Sequence, residues 1–408
     1  MEYQFANRTK GMIGSPLREN AKKNMDDKEI ISFAYGFPPT EAFPMEILKE
    51  ISQKIYAEID PQVLLQYGAT EGYAPLRKLI KDRLATINNL DNDEEIMVVS
   101  GSTQAMDVAV KVLCDEGDIV LCEEMTFSGA VSAIKGYGAV PMAVPMNIEE
   151  ESMDLVELEK MLQADIHNRI KMLYIIPTFQ NPLGTSIPLE KRQEIYKIAQ
   201  KYDVIIFEDD PYGDLLYEGD PIPKIKEMDV DGRVIYAGSF SKILAPATRL
   251  GFIMAADALL EKLIFAKQVS DSHSNFYWQV MLAEFMENYQ FEKHVDFLKD
   301  LYKEKLTTMM HSLDLLPKDK ISYIPPTGGY FICCKLSETV DMEKFYQYLD
   351  EYNVAVIPGN LMSVEGYGYE HYIRLNFTKP TLVEILKGIK LLGEALTKAS
   401  SKAVSRAS

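Results

Sequence analysis

Basic charge, histidine and cysteine are all scarce in this chain. It carries 43 Lys and Arg against 61 Asp and Glu, a net charge of -18. A surface of that sign repels nucleic acid and anionic membranes, so an anionic ligand must be held by local donors. The five histidines, at 167, 273, 294, 311 and 371, show no metal-ligand spacing, and no metal site is expected. The four cysteines, Cys114, Cys122, Cys333 and Cys334, form no C-x-x-C pair and sit in apolar runs, as buried thiols do. There is no cationic-then-apolar leader and no apolar run of 18 residues, which leads to the expectation of a cytoplasmic protein. P-loop and G-x-G-x-x-G motifs are missing as well.

What remains is a long, ordinary globular composition: 408 residues, 47% of them hydrophobic, enough for two substantial cores. From about residue 95 to 256, short apolar runs alternate with amphipathic stretches. The runs at 96–99, 119–122, 172–176, 204–207, 234–237 and 252–255 read as strands buried on both faces. Between them, Leu189–Lys201 has a helical pattern, with Arg192, Gln193, Lys197 and Lys201 suited to an exposed face. The alternation predicts an α/β fold with a mostly parallel central sheet between helices, its ligands beyond the C-terminal strand ends. After about 290 the character changes to Lys/Glu-rich helix, a Pro- and Gly-rich turn and shorter strands. The expected division is an N-terminal arm (1–44) joining the smaller domain, a large domain (45–290), a small α+β domain (291–396) and a frayed tail (397–408).

The densest chemistry lies at 238–251, Gly-Ser-Phe-Ser-Lys-Ile-Leu-Ala-Pro-Ala-Thr-Arg-Leu-Gly. Lys242 is a primary amine able to form a Schiff base, and Ser239, Ser241 and Arg249 are donors for a phosphate. A carbonyl compound carrying a phosphate suits both, and pyridoxal 5'-phosphate is the common cofactor of that kind. Ser239 to Lys242 also fits the S-x-x-K signature of penicillin-binding enzymes, but no K-T-G element follows anywhere.

Other polar residues close the apolar runs. Asp209-Asp210-Pro211-Tyr212 offers a carboxylate that would keep a pyridine nitrogen protonated and a hydroxyl for a ring oxygen; a solvated strand-end turn is the plain alternative. Asn181, fixed by Pro182 and Gly184, offers an amide to the same oxygen. Ser102 and Thr103 open a helix whose N-terminal amides suit a phosphate, or simply cap it. Arg374 is a lone charge inside an apolar strand-like run, to be paired by a substrate carboxylate or by a structural acid.

These segments together resemble the fold-type I pyridoxal-phosphate aminotransferases (class I/II), and most of all the subgroup with 2-aminoadipate, kynurenine and aromatic aminotransferases. The stretches at 65–77 and 31–38 share the likeness, which spans nearly the whole chain. The resemblance implies Lys242 as the Schiff-base lysine, Ser102, Thr103, Ser239, Ser241 and Arg249 as phosphate ligands, and Asp209 at the ring nitrogen. It implies Asn181 and Tyr212 at the ring oxygen, and Phe127 stacked on the ring where the family usually has tyrosine. Tyr67 would reach the phosphate of a second subunit, making a homodimer with shared active sites. Arg374 would take the substrate α-carboxylate. Tyr35 and Gly36 would border the substrate where relatives often have Gly-Gly, and Arg18, after Pro16, is a candidate for a distal carboxylate.

The activity so implied is ping-pong transfer of an amino group between an L-amino acid and a 2-oxo acid. The expected donors are aromatic, 2-aminoadipate or branched-chain amino acids, with 2-oxoglutarate as acceptor. A β-lyase or cyclising lyase would use the same residues, and a fragment of a transcription regulator is the third reading.

Overall fold

The computed structural model describes residues 3–12, 30–90 and 94–400, and Arg18 lies outside the described residues. Seven strands build the central sheet. They are β2 (Ile96–Val99), β3 (Ile119–Glu123), β4 (Val140–Val144), β7 (Ile170–Ile175), β8 (Ile205–Asp210), β9 (Val234–Ser239) and β10 (Gly251–Met254). Their spatial order is β2-β10-β9-β8-β7-β3-β4. All pairings are parallel except those of β10, which runs antiparallel to both β2 and β9. The expected α/β architecture with a mostly parallel sheet is what the chain adopts.

The strands are runs of Ile, Val, Leu and Met because both sheet faces are covered. In β8, Phe207 joins Met172 and Tyr174 in the core on one face, while Ile206 joins Leu173 and Ile175 on the other. Each such side chain taken fully from water contributes about 1.5–3 kcal/mol. The helix Leu189–Lys201 buries Ile195, Tyr196 and Ala199, as its periodicity predicts. Arg192 departs from expectation: it is fully buried. Its guanidinium donates to the carbonyls of Ile187 (2.8 Å), Pro223 (3.0 Å) and Pro177 (2.6 Å) and to the Thr178 hydroxyl (3.0 Å). Two loops fold over the helix start and need a multiple donor there, which a count of helical periods cannot reveal.

A second departure is β4, absent from the expected strands. Its Pro141 supplies no N–H, yet β4 is the last strand in the sheet and pairs only with β3, an edge position where proline is tolerated. A short hairpin, β5 (Met146–Asn147) with β6 (Ser152–Met153), follows it.

The C-terminal part forms a four-stranded antiparallel sheet in the order β11 (Ile321–Tyr323), β12 (Phe331–Leu336), β15 (Tyr372–Asn376) and β14 (Ile357–Pro358). Helices Phe291–Asp314, Met342–Glu351 and Leu382–Ala399 accompany it. The last opens with a capping box of Thr381 and Glu384 and continues to Ala399, so Thr397 is helical rather than frayed. Near the N-terminus, β1 (Ile31–Ser32) pairs in parallel with β13 (Val354–Ala355). The chain then runs on beside β15, where Asn376 N–H donates to Phe33 O at 2.7 Å. That path carries residues 34–37 toward the ends of the large-sheet strands.

Candidate active site

Register alone assembles the first part of the site. Gly251 of β10 lies opposite both Val99 of β2 and Ser239 of β9. The segments that continue from those positions, 100–103 and 239–241, therefore meet at one sheet edge with Arg249. Gly101, at φ 83°, caps the helix Ser102–Leu113 without a side-chain cap bond. A Cβ on Gly101 would collide with the guanidinium of Arg249. Arg249 itself donates to Ser100 O at 2.6 Å, and Ser239 Oγ accepts from Ser241 N–H at 3.2 Å. Helix amides, hydroxyls and a guanidinium around one loop make a cradle for a phosphate.

Gln104, a residue not singled out from the sequence, braces this loop. Its Oε1 accepts from Ser100 N–H (2.7 Å) and Lys267 Nζ (3.0 Å), while its amide donates to Asp271 (2.7 Å).

Asp209 is the last residue but one of β8 and is 4% exposed. Its Oδ2 accepts from the Tyr174 hydroxyl at 2.7 Å, and its Oδ1 has no hydrogen-bond partner. Burial pushes this carboxyl up to about 7, against the opposing pull of the Tyr174 and Ser102 hydroxyls. No cation among the described residues acts on it.

Lys242 also has no counter-charge among the described residues. Its amine donates to Gly36 O at 2.7 Å and lies 5.3 Å from the centre of the Tyr330 ring. Desolvation, then the cations Arg374 and Arg249, bring it down to about 8. Tyr212 is buried, which raises its phenol, while Arg374 and a hydrogen bond with Asn181 pull it back. Arg374 donates to Asn181 Oδ1 and Ala34 O, each at 2.8 Å, and stacks 4.1 Å over the Phe331 ring. Its Nε has no partner, and burial depresses it to about 10 with no carboxylate acting on it. The alternative of a structural ion pair at Arg374 is thus not realised among the described residues.

The remaining candidates are placed as follows. Phe127 is half-buried immediately before the helix Ser128–Gly136. Gly36 presents its carbonyl to Lys242, and a Cβ there would press on Phe331. Tyr35 is buried, stacked 5.2 Å from Phe37 and covered by the Lys379 amine at 4.4 Å. Tyr67 is 83% exposed and packs its ring edge on His273.

Pyridoxal phosphate fits this donor set. The unpartnered Oδ1 of buried Asp209 suits a protonated ring nitrogen, the glycine-lined cradle suits a phosphate, and Lys242 is a poised amine. The model for aminotransferase class I and II matches residues 28–389. The chain belongs to that family. An aromatic-amino-acid aminotransferase of Thermococcus litoralis is 35% identical over 98% of this chain and 96% of its own. A 2-aminoadipate transaminase of Thermus thermophilus is 35% identical over 90% of both chains. The crystal structure of a Pyrococcus horikoshii kynurenine aminotransferase, a complex with PMP, superimposes with a TM-score of 0.90 at 34% identity, covering 97% of each chain. The protein is accordingly a pyridoxal-phosphate-dependent aminotransferase; its relatives do not favour the lyase or regulator readings. No described helix of this aminotransferase is long and apolar enough to cross a membrane.

Proposed function

We propose that this aminotransferase accepts aromatic, 2-aminoadipate or branched-chain L-amino acids, passes the amino group to 2-oxoglutarate, and works as a cytoplasmic homodimer. The observation that carries the substrate reading is Arg374, a buried guanidinium with an idle Nε and no acid of its own among the described residues. A buried cation in that condition calls for a carboxylate from outside the chain. The similarity to aromatic and 2-aminoadipate enzymes supports the donor classes.

When bound, pyridoxal phosphate supplies an aldehyde that takes up amines and a ring that accepts the electron pair released at Cα. Ser102, Thr103, Ser239, Ser241 and Arg249 would hold its phosphate, Asp209 its ring nitrogen, Asn181 and Tyr212 its ring oxygen, and Phe127 one ring face. Arg374 binds the α-carboxylate of the incoming amino acid, and Asn181 Oδ1 keeps the guanidinium in place. Lys242 Nζ removes the Cα proton and returns it. Its lowered basicity leaves about a tenth of it neutral at pH 7. Gly36 O, the acceptor for that amine, holds it at the site between proton transfers. Tyr67, exposed on its own chain, reaches the phosphate of a second subunit in this reading.

Absorbance of the purified protein against a panel of amino acids tests the whole reading. The cofactor band should bleach with phenylalanine, 2-aminoadipate or leucine and return on adding 2-oxoglutarate. Pyruvate and ammonia released without any acceptor would instead establish a lyase. Arg374→Ala should raise KM for every accepted amino acid by about a hundredfold, the loss of a charge-assisted bidentate contact of about 3 kcal/mol. An unchanged KM would remove Arg374 from the substrate site.

A further inference from the structure

Asp209 owes its orientation to a residue that the aminotransferase reading leaves unused. Tyr174 of β7 is fully buried and faces Phe207 of β8 in register, with ring centroids 5.8 Å apart. Asp209 stands two residues beyond Phe207, so it is the diagonal neighbour of Tyr174 on the same sheet face, within reach of a long side chain. The Tyr174 hydroxyl takes that position and donates to Oδ2 at 2.7 Å. The other oxygen, Oδ1, is left as the single unpartnered atom of the carboxyl.

The next strand repeats the arrangement on the opposite face. Tyr236 of β9 lies opposite Glu208, and Asp210, two residues beyond Glu208, accepts from the Tyr236 hydroxyl at 2.8 Å. The two pairs match in register, bond length and burial. They differ in what else the acid meets: Asp210 Oδ2 is 2.7 Å from the ammonium of Lys224, whereas no cation among the described residues acts on Asp209.

We propose that Tyr174 is a positioning residue for the cofactor: its hydroxyl pins Oδ2 of Asp209, favours the anionic form of the group, and so presents Oδ1 to the ring nitrogen. This rests on the pyridoxal-phosphate reading of the site. Burial holds the Tyr174 phenol well above its usual range, so it stays a donor at every working pH. A donor to the carboxylate form favours that form, and without it the buried carboxyl takes up a proton more readily and turns more freely.

The test compares Tyr174→Phe with Tyr236→Phe, each removing one buried hydroxyl from the same kind of diagonal pair. Apoprotein is titrated with pyridoxal phosphate, and the absorbance of the bound cofactor is followed against pH. Tyr174→Phe should weaken cofactor binding five- to tenfold, displace the spectral pH midpoint by about half a unit or more, and lower kcat with KM unchanged. Tyr236→Phe should lower the apoprotein melting temperature comparably and leave cofactor affinity within twofold of wild type. In an Asp209→Asn background, Tyr174→Phe should add nothing further to the loss of affinity. Equal effects of the two single substitutions, or wild-type affinity and kcat in Tyr174→Phe, would overturn the assignment. Failure of the wild-type apoprotein to bind pyridoxal phosphate at all would overturn the cofactor reading beneath it, and the two failures are told apart by that first titration.

Discussion

Two faces of one strand handle buried charge in opposite ways. Asp209 and Asp210 are consecutive and both under 8% exposed, and each accepts from a tyrosine on a neighbouring strand. Around Asp210 the chain balances its own charges: Lys224 bonds Asp210, and Lys226 bonds Asp229 at 2.9 Å. Beside Asp209 it does not. Among the described residues, Asp209, Lys242 and Arg374 are held apart from any counter-ion. Burying a charge without a partner costs several kcal/mol, and folding alone has no use for three such groups in one place. The unpaired face is therefore where a ligand completes the electrostatics, with one anionic group for Arg374 and one cationic group for Asp209.

The largest effect that would break this contrast is on the balanced face. Asp210→Asn should destabilise the apoprotein by about 3 kcal/mol, because it strands the Lys224 ammonium in the interior. Denaturant unfolding of the apoprotein reads this directly, and an unchanged midpoint would mean that Lys224 is solvated after all.

The same substitution one residue earlier should act with the opposite sign. A carboxyl raised to about 7 in the folded chain, against 3.8 ordinarily, binds its proton more tightly folded than unfolded. Its contribution to stability is whole below the ordinary value and is lost as pH rises through 7. Asp209→Asn should accordingly stabilise the apoprotein at pH 8, with less than half of that gain at pH 5. Cofactor affinity should fall in the same variant. A pH-independent loss of stability would place Asp209 with Asp210 among charges the fold itself requires.

How far the sequence foretold this contrast depends on the range over which each feature acts. Asp209, Asn181, Ser239 and Lys242 stand at the ends of apolar runs, and a local pattern is enough to place them at strand ends. Arg374 was conspicuous as a charge within such a run. What the pattern left open was whether a partner existed, which is decided by residues 34 and 181, far away in sequence. Tyr174 lay hidden in an apolar stretch where a tyrosine reads as core, and its role depends on the β7–β8 register rather than on composition. Arg192 was misplaced for the same reason: its acceptors at Pro177, Ile187 and Pro223 come from loops that close over the helix. Gln104 looked like one more residue of a helix start, and only the approach of Lys267 and Asp271 gives it a task.

The smallest effect concerns the two lysines that divide between the faces. Lys224 has a carboxylate at 2.7 Å, whereas Lys242 has only Gly36 O and two repelling arginines. With Lys242 brought down to about 8, its neutral, nucleophilic fraction grows about tenfold per pH unit below that value and levels off above it. The rate at which apoprotein takes up pyridoxal phosphate should follow that curve, rising from pH 6 to 8 and flattening by pH 9. A neutral residue at position 374 removes one of the two repelling charges. Arg374→Gln should therefore shift the inflection toward the ordinary lysine range, by about half a unit to one unit. Stopped-flow absorbance at a fixed low cofactor concentration measures both curves. A rate still climbing tenfold per unit at pH 9 in the wild type would mean that Lys242 keeps ordinary lysine basicity, and the unpaired face would then be solvated rather than poised.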